Sequence, residues 1–458
     1  MRVIICGAGQ VGYGIAERLA SEKNDVAVID TSPALVQAIS DNLDVRGFVG
    51  HGAHPDVLAE AGAEQADMII AVTLYDEVNM VACQVAHSLF NVPTKIARVR
   101  AQSYLHSHWQ DLFSTDHMPI DVIISPEVEV GEMVLRRIAL PGAMDAVRFA
   151  DDTVAMVAIE CREDCPVIET PLSQLTELFP NLGATVVGIV RADQLFVPSS
   201  SDQMLAGDIA YVVAERKQVK RTLALFGHEE PDIRRIVIAG GGNIGLYVAQ
   251  QMERRNISAK VRIIEANRNR AVEIADRLNR TIVLHGSALD QAVLNEADIQ
   301  QADLLVALTN DDQVNILSSV MGKRLGCRAN LTLINNPAYQ SFTRTLGLDA
   351  ILNPRTVTIS RVLQHVRRGR IRAVHSVHNG AAEVIEAEAL ETSPLVGTPL
   401  RDLDLPDDLR IGAIYRAGAY VRPDGQTRIR AKDRVVIFAA ASAVRHVEQM
   451  FRVSLEFF

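Results

Sequence analysis

Three blocks of sequence recur in the same order in the two halves of the chain, and this repetition limits its possible folds more than any other feature. RVIICGAGQVGYGIAERL, beginning at Arg2, returns as RIVIAGGGNIGLYVAQQM from Arg235. VGHGAHPDVLAEAG is answered by LHGSALDQAVLNEAD, and ADMIIAVTLYDEVNMVAC from Ala66 by ADLLVALTNDDQVNILSS from Ala302. A weaker repeat follows each set: VVGIVRADQLFVPSSSDQMLAGDIAYVVA from Val186 resembles RIGAIYRAGAYVRPDGQTRIRAKDRVVIFA from Arg410. The chain therefore reads A-B-A′-B′, with the polar stretch Gly227 to Arg235 as the linker between halves.

Within each A unit, apolar runs alternate with helical periodicity. Arg2 to Cys6, Asp25 to Ile29, Met68 to Val72 and Lys95 to Val99 read as strands, and Val11 to Ser21 as a helix. Continuous apolar strands separated by amphipathic helices predict an α/β, doubly wound parallel sheet, here twice in tandem. The B units alternate apolar and polar positions around tight turns, with a strand entered through Gly207-Asp208 or Lys432-Asp433. That pattern predicts a small mixed sheet.

Composition excludes several classes. At 458 residues the chain is too long for one core, and 48% hydrophobic with 22% charged is ordinary globular composition. A net charge of -10 argues against nucleic acid as a partner, since phosphate recognition needs a basic surface. The basic stretch Arg367 to Arg372 reads as a solvated helix end. No apolar run approaches the roughly 18 residues needed to span a bilayer. The opening segment reads as strand, turn and helix, not as a signal peptide, so a cytoplasmic location is expected. Five scattered cysteines, Cys6, Cys83, Cys161, Cys165 and Cys327, do not form a disulfide framework. Neither Cys161 with Cys165, nor His51 with His54, nor His106 with His108 has the partners a metal site requires, and no metal ligand or catalytic residue is assigned.

The chemistry lies in the glycine loops. Gly7-Ala8-Gly9-Gln10-Val11-Gly12 fits G-x-G-x-x-G between a strand and a helix, and Gly240-Gly241-Gly242-Asn243-Ile244-Gly245 repeats it. The first glycine permits the turn, the second lets backbone N–H groups approach a pyrophosphate, and the third packs helix on strand. The helix N-terminus then presents N–H donors and partial positive charge to the anion. Each second strand ends in an acid, Asp30 and Glu265, which would accept hydrogen bonds from ribose hydroxyls and repel a 2′-phosphate. This favours NAD over NADP and would equally suit the ribose of ATP or ADP. Thr73 and Leu74, with Thr309 and Asn310, end the fourth strand of each sheet, beside the crevice. Arg98 and Arg100 end the next strand and are placed to clamp phosphates. The aligned stretch NLTLINNP puts Ile334 and Asn336 at those positions, so the second site is expected to lack this charge and to differ in affinity or ligand.

The glycine loops, DEVNMVACQVAHSLFN, NDDQVNILSSVMGKRLG, LFNVPTKIARVR and the closing VEQMF together resemble TrkA, the family of regulatory subunits of bacterial Trk potassium uptake systems. The resemblance covers nearly the whole chain. It implies two RCK modules, each with a Rossmann-like nucleotide-binding domain (residues 1–122 and 232–350) and a small α+β C-terminal domain (residues 143–227 and 370–455). It further implies binding of NAD(H) and ATP/ADP. The implied partners are a TrkH/TrkG-type channel subunit in the membrane and further copies of the chain, arranged as a tetrameric ring. Relatives often carry G-D-A where this chain has Gly50-His51-Gly52 and Gly286-Ser287-Ala288, which removes one aspartate from each site. An NAD-dependent oxidoreductase is the alternative. It would need a substrate domain with an acid/base residue, and the short B units leave little room for one.

Overall fold

The computed structural model describes residues 1–179, 182–336, 338–339, 345–366 and 370–451. In chain order, the first A unit comprises β1 (Arg2–Cys6), α1 (Gln10–Ser21), β2 (Asp25–Asp30), α2 (Pro33–Asn42), β3 (Arg46–Val49), α3 (Pro55–Glu60), β4 (Met68–Ala71), α4 (Asp76–Phe90), β5 (Thr94–Arg98), β6 (Val122–Ile124) and α5 (Pro126–Ala139). The first B unit follows with β7 (Asp145–Phe149), β8 (Val154–Glu160), α6 (Leu172–Leu178), β9 (Ala184–Arg191), β10 (Gln194–Phe196), β11 (Ile209–Glu215) and α7 (Val219–Leu225). The second A unit has β12 (Arg235–Ala239), α8 (Asn243–Arg254), β13 (Lys260–Glu265), α9 (Arg268–Ala275), β14 (Ile282–His285), α10 (Gln291–Glu296), β15 (Leu304–Ala307), α11 (Asp312–Arg324), β16 (Ala329–Leu333), β17 (Ala350–Leu352) and α12 (Pro354–Val366). The second B unit closes with β18 (Ile371–Val377), β19 (Ala382–Glu388), β20 (Leu409–Arg416), β21 (Ala419–Val421), β22 (Arg434–Ala440) and α13 (Val444–Met450).

Each A unit is a six-stranded parallel sheet, ordered β3-β2-β1-β4-β5-β6 and β14-β13-β12-β15-β16-β17. β4 and β15, at the middle of each sheet, are apolar and buried at every residue because helices cover both faces. The order reverses between β1 and β4, and between β12 and β15, which opens a crevice at their carboxyl ends. These are two Rossmann-like sheets in tandem, as the apolar runs predict.

The B units differ from expectation. Their five-stranded sheets, β10-β9-β11-β8-β7 and β18-β19-β22-β20-β21, pair antiparallel along every named strand. Among the described residues a parallel element appears only as an isolated bridge, Val396 to Ile429. Hairpins β7–β8 and β18–β19 extend the repeat upstream of Val186 and Arg410. Short connections impose the antiparallel choice in the hairpins β7–β8, β9–β10, β18–β19 and β20–β21, since a parallel pair needs a long crossover.

By internal contacts the chain forms two compact units, Met1–Met133 with Arg234–His365, and Val134–Ile233 with Val366–Phe458. In the first, both Rossmann-like domains pack through helices that exchange sizes. A side chain on Gly14 of α1 would collide with Ile359 of α12, and one on Gly131 of α5 would collide with the Tyr247 ring of α8. Tyr247 Oη donates to Glu132 Oε1 at 2.8 Å, Arg255 pairs with Glu132, and Arg361 with Glu129. In the second unit, a shared core joins the two antiparallel sheets, with Phe438 against Gly188 and Val213 against Gly412.

The linker segment is held to its neighbours. His228 is buried, its Nε2 at 2.8 Å from Glu160 O and its Nδ1 at 2.9 Å from Glu230 Oε1. Of the basic stretch, Arg367, Arg368 and Gly369 lie outside the described residues. Among the described residues no helix is long and apolar enough to cross a membrane.

Candidate functional site

The first glycine loop leaves β1 and enters α1. Gly7 has φ +112°, a left-handed value open to glycine, and a methyl there would press within 3.1 Å of the Val72–Thr73 backbone. A methyl on Gly12 would collide with the Gly7 carbonyl oxygen, so this glycine sets how closely helix and strand approach. Gly9 is different: among the described residues nothing lies within 4 Å of where its Cβ would stand. It is the N-cap of α1 and supplies no side-chain acceptor, so no side chain caps the first-turn N–H groups beside that open space. The second loop repeats this with Gly240 at φ +108°, Gly245 against the Gly240 carbonyl and open space at Gly242. The cradle fits a pyrophosphate on a helix N-terminus in both halves.

The acids at the ends of β2 and β13 are bound into the loops. Asp30 Oδ2 accepts from Ala8 N at 2.7 Å and Oδ1 from Ser32 N at 2.8 Å. Glu265 Oε2 accepts from Gly241 N and Oε1 from Asn267 N, each at 2.8 Å. Each carboxylate oxygen keeps a second lone pair, so a ribose hydroxyl remains acceptable.

At the ends of β4 and β15 the structure brings together residues that the glycine motif did not reveal. Asn79 of α4 is fully buried. Its Oδ1 accepts from Thr73 N at 2.8 Å and Thr73 Oγ1 at 2.7 Å, and its Nδ2 donates to Thr73 O at 3.2 Å and Arg98 O at 2.9 Å. Asn315 of α11 does the same for Thr309 and for Leu333 O. Asp76 Oδ2 accepts from Arg100 N and Ala101 N, and Asp312 from Asn335 N and Asn336 N. The signal was present in the repeat as D-x-V-N, at Asp76 to Asn79 and Asp312 to Asn315. Leu74 and Asn310 are exposed at the rim, Leu74 by 75%.

These shared bonds correct the register of the two halves. Ala71 pairs with Ala97, whereas Ala307 pairs with Thr332. The counterparts of Arg98 and Arg100 are thus Leu333 and Asn335, not Ile334 and Asn336. One residue is missing where α11 turns into β16: Val92 N reaches back to Ala86 O, but Cys327 N only to Gly322 O. Neither replacement is basic, so the contrast in charge survives the shift.

Arg98 is nearly buried, and its Nη2 donates to Thr73 O at 3.0 Å while its Nε has no partner. Burial pushes its guanidinium below the usual arginine range, with repulsion from Arg100 adding to the effect. Arg100 is half exposed, and its Nε donates to buried Glu127 at 2.9 Å. The second crevice carries a cation elsewhere. Arg270 of α9 donates from Nε to Gly241 O at 3.0 Å and from Nη2 to Asn243 Oδ1 at 3.4 Å, and pairs with Glu273 at 2.8 Å. Since Ser32 and Asn267 cap α2 and α9 alike, its counterpart in the first half is Leu35, 42% exposed.

Among the described residues no group of three or more His, Cys, Asp or Glu side chains is placed to hold a metal ion. His51 and His54 stack with ring centroids 4.6 Å apart. Cys161 and Cys165 are buried, and their mutual hydrogen bond pushes the Cys165 thiol down to about 6 and Cys161 up.

The TrkA-N domain model matches residues 3–126 and 236–354, and the TrkA-C domain model residues 156–227 and 384–452. A protein named Trk system potassium uptake protein TrkA, from Azorhizobium caulinodans, is 61% identical over 458 residues, all of both chains. Its namesake from Halomonas elongata is 42% identical over 462 residues, again all of both chains. Among solved structures, the GsuK RCK domain aligns with TM-score 0.60 and 17% identity over 98% of this chain and 94% of its own. The GsuK channel bound to NAD aligns with TM-score 0.60 and 16% identity over 98% and 78%. At such identity the likeness is one of fold.

Proposed function

The chain belongs to the TrkA family of Trk-system potassium uptake proteins, not to a family of enzymes, and on that premise we propose that it is the nucleotide-sensing subunit that gates a membrane channel of such a system. The observation that carries this reading is the pair of uncapped helix N-termini, each with open space over its middle glycine and a carboxylate at the neighbouring strand end. Such a crevice holds a dinucleotide or a nucleoside polyphosphate. The first site is built from Gly7 to Gly12, Asp30, Thr73, Leu74, Arg98 and Arg100. The second is built from Gly240 to Gly245, Glu265, Thr309 and Asn310, with Arg270 as its cation.

The ligands in this reading are NAD(H) and ATP/ADP, and the GsuK channel solved with NAD makes NAD(H) the first to test. The binding domains are residues 1–122 and 232–350, and the antiparallel domains residues 143–227 and 370–455. The partner is a TrkH/TrkG-type subunit, approached from the inner face of the membrane by a ring of four chains. Nucleotide occupancy acts through different affinity for two conformations, about 1–3 kcal/mol per site, summed over the ring.

Gly9→Ala and Gly242→Ala provide the test. Both added methyls meet only open space, so the protein should fold with a loss below about 1 kcal/mol from weaker capping. Asp30→Arg is less clean because it also removes the bonds to Ala8 and Ser32. In cells lacking the gene, wild type should restore rubidium uptake, and the double variant should restore it without its dependence on nucleotide. Unchanged uptake on deletion, in a strain with no second potassium system, would overturn the reading.

A further inference from the structure

The first antiparallel domain contains a pocket of about 840 Å³, counting its open mouth. Leu175, Phe179, Leu225 and Phe226 form an apolar wall, and the opposite side carries Thr185 of β9 with Arg410 and Arg422 from the second antiparallel domain. Two of these side chains carry a buried polar atom with no hydrogen-bond partner among the described residues. Arg410 Nη2 donates to Pro198 O at 2.6 Å, which fixes the guanidinium, but its Nε has no acceptor; Thr185 Oγ1 has none either. Buried donors are normally satisfied, and both of these belong to side chains that line the pocket, so the pocket's polar side is short of acceptors.

The repeat sharpens the case. Arg191 and Arg416 make the same ion pair, each at 2.7 Å, with Asp208 and Asp433, which aligns β9 with β20. On that alignment Arg410 stands where the first copy has Thr185, and Arg422 where it has Val197. Both cations are thus departures from the duplicated pattern, and both line the same pocket.

We propose that this pocket binds a small organic anion with an apolar body, a monocarboxylate of medium chain length. Its carboxylate lies between Arg410 and Arg422, and its chain lies against the leucine and phenylalanine wall. A guanidinium pair suits a carboxylate, and the apolar wall gives a bare inorganic anion nothing to cover it. The bound ligand touches both antiparallel sheets and favours the state in which they are joined.

Calorimetric titration of the full chain with octanoate, 1-octanol and inorganic phosphate tests this. Octanoate should bind saturably, with Kd of about 1 mM or tighter, and octanol and phosphate at least about tenfold more weakly. Arg422→Gln and Leu175→Glu should each weaken octanoate by about tenfold or more, while NAD binding stays as in wild type. Arg422→Gln leaves the Arg410 to Pro198 bond in place and keeps the test valid where the buried glutamate prevents folding. Absence of saturable octanoate binding, survival of that binding in Arg422→Gln, or phosphate matching octanoate would each overturn the proposal.

Discussion

At the scale of single residues, the two asparagines decide more than their size suggests. Asn79 makes four hydrogen bonds in a fully buried position and holds the ends of two strands together. Asn79→Leu keeps the volume but strands the Thr73 N–H and Arg98 carbonyl. It should cost about 2–3 kcal/mol in urea unfolding, since a buried group left unpaired loses its full desolvation energy. Asn315→Leu should do likewise in the second half, with nucleotide binding weakened only on the affected side. Glycines that turn the chain or admit a helix were legible in the sequence because their role depends on having no side chain at a stated spacing. Arg270 was not legible, because its meaning depends on α9 facing a loop nearly thirty residues earlier.

Elements were readable to within a residue or so where apolar runs and helical periodicity alternate: β1, β2, β4, β5 and α1 fall where the pattern puts them. The pairing of the two halves was not readable at β16, because a deletion at a helix–strand turn leaves the alternation of burial intact on both sides. Polar bonds to the shared Asp and Asn had to locate it. One element carries a pH signature. Glu253, near the end of α8, accepts from Asn279 N, Arg280 N and Thr281 N and from Thr281 Oγ1, tying the helix to the segment before β14. Partial burial opposes its charge, but these hydrogen bonds outweigh burial and pull the carboxyl down to about 2. A lowered folded pKa stabilises the protein above the unfolded carboxylate value of about 4.3, and the effect disappears as pH falls through about 2. Glu253→Gln should therefore lose about 1 kcal/mol at neutral pH, a figure reduced for solvent screening. The gap from wild type should close as pH falls from about 4.5 toward 2, as followed by thermal unfolding across that range.

At the scale of the whole molecule, the order A-B-A′-B′ was legible but the company each part keeps was not. Rossmann-like domain packs with Rossmann-like domain, and antiparallel domain with antiparallel domain, so residues more than two hundred positions apart share a core. Hydrophobic periodicity reports which face of an element is buried and is silent about what buries it. The helix crossings can be tested as a pair. Gly131→Leu should destabilise by about 1–3 kcal/mol through collision with Tyr247, and adding Tyr247→Ala should recover most of that in denaturant unfolding. The exchange of sizes at these crossings also has a historical consequence. In one crossing the small residue belongs to the first half, Gly14 facing Ile359; in the other it also belongs to the first half, Gly131 facing Tyr247. Two first halves would meet glycine to glycine and leave a void, and two second halves would meet isoleucine to tyrosine and not close. Complementary drift of this kind works as a ratchet. With socket and plug divided between the two halves, neither half is complementary to a second copy of itself at these crossings.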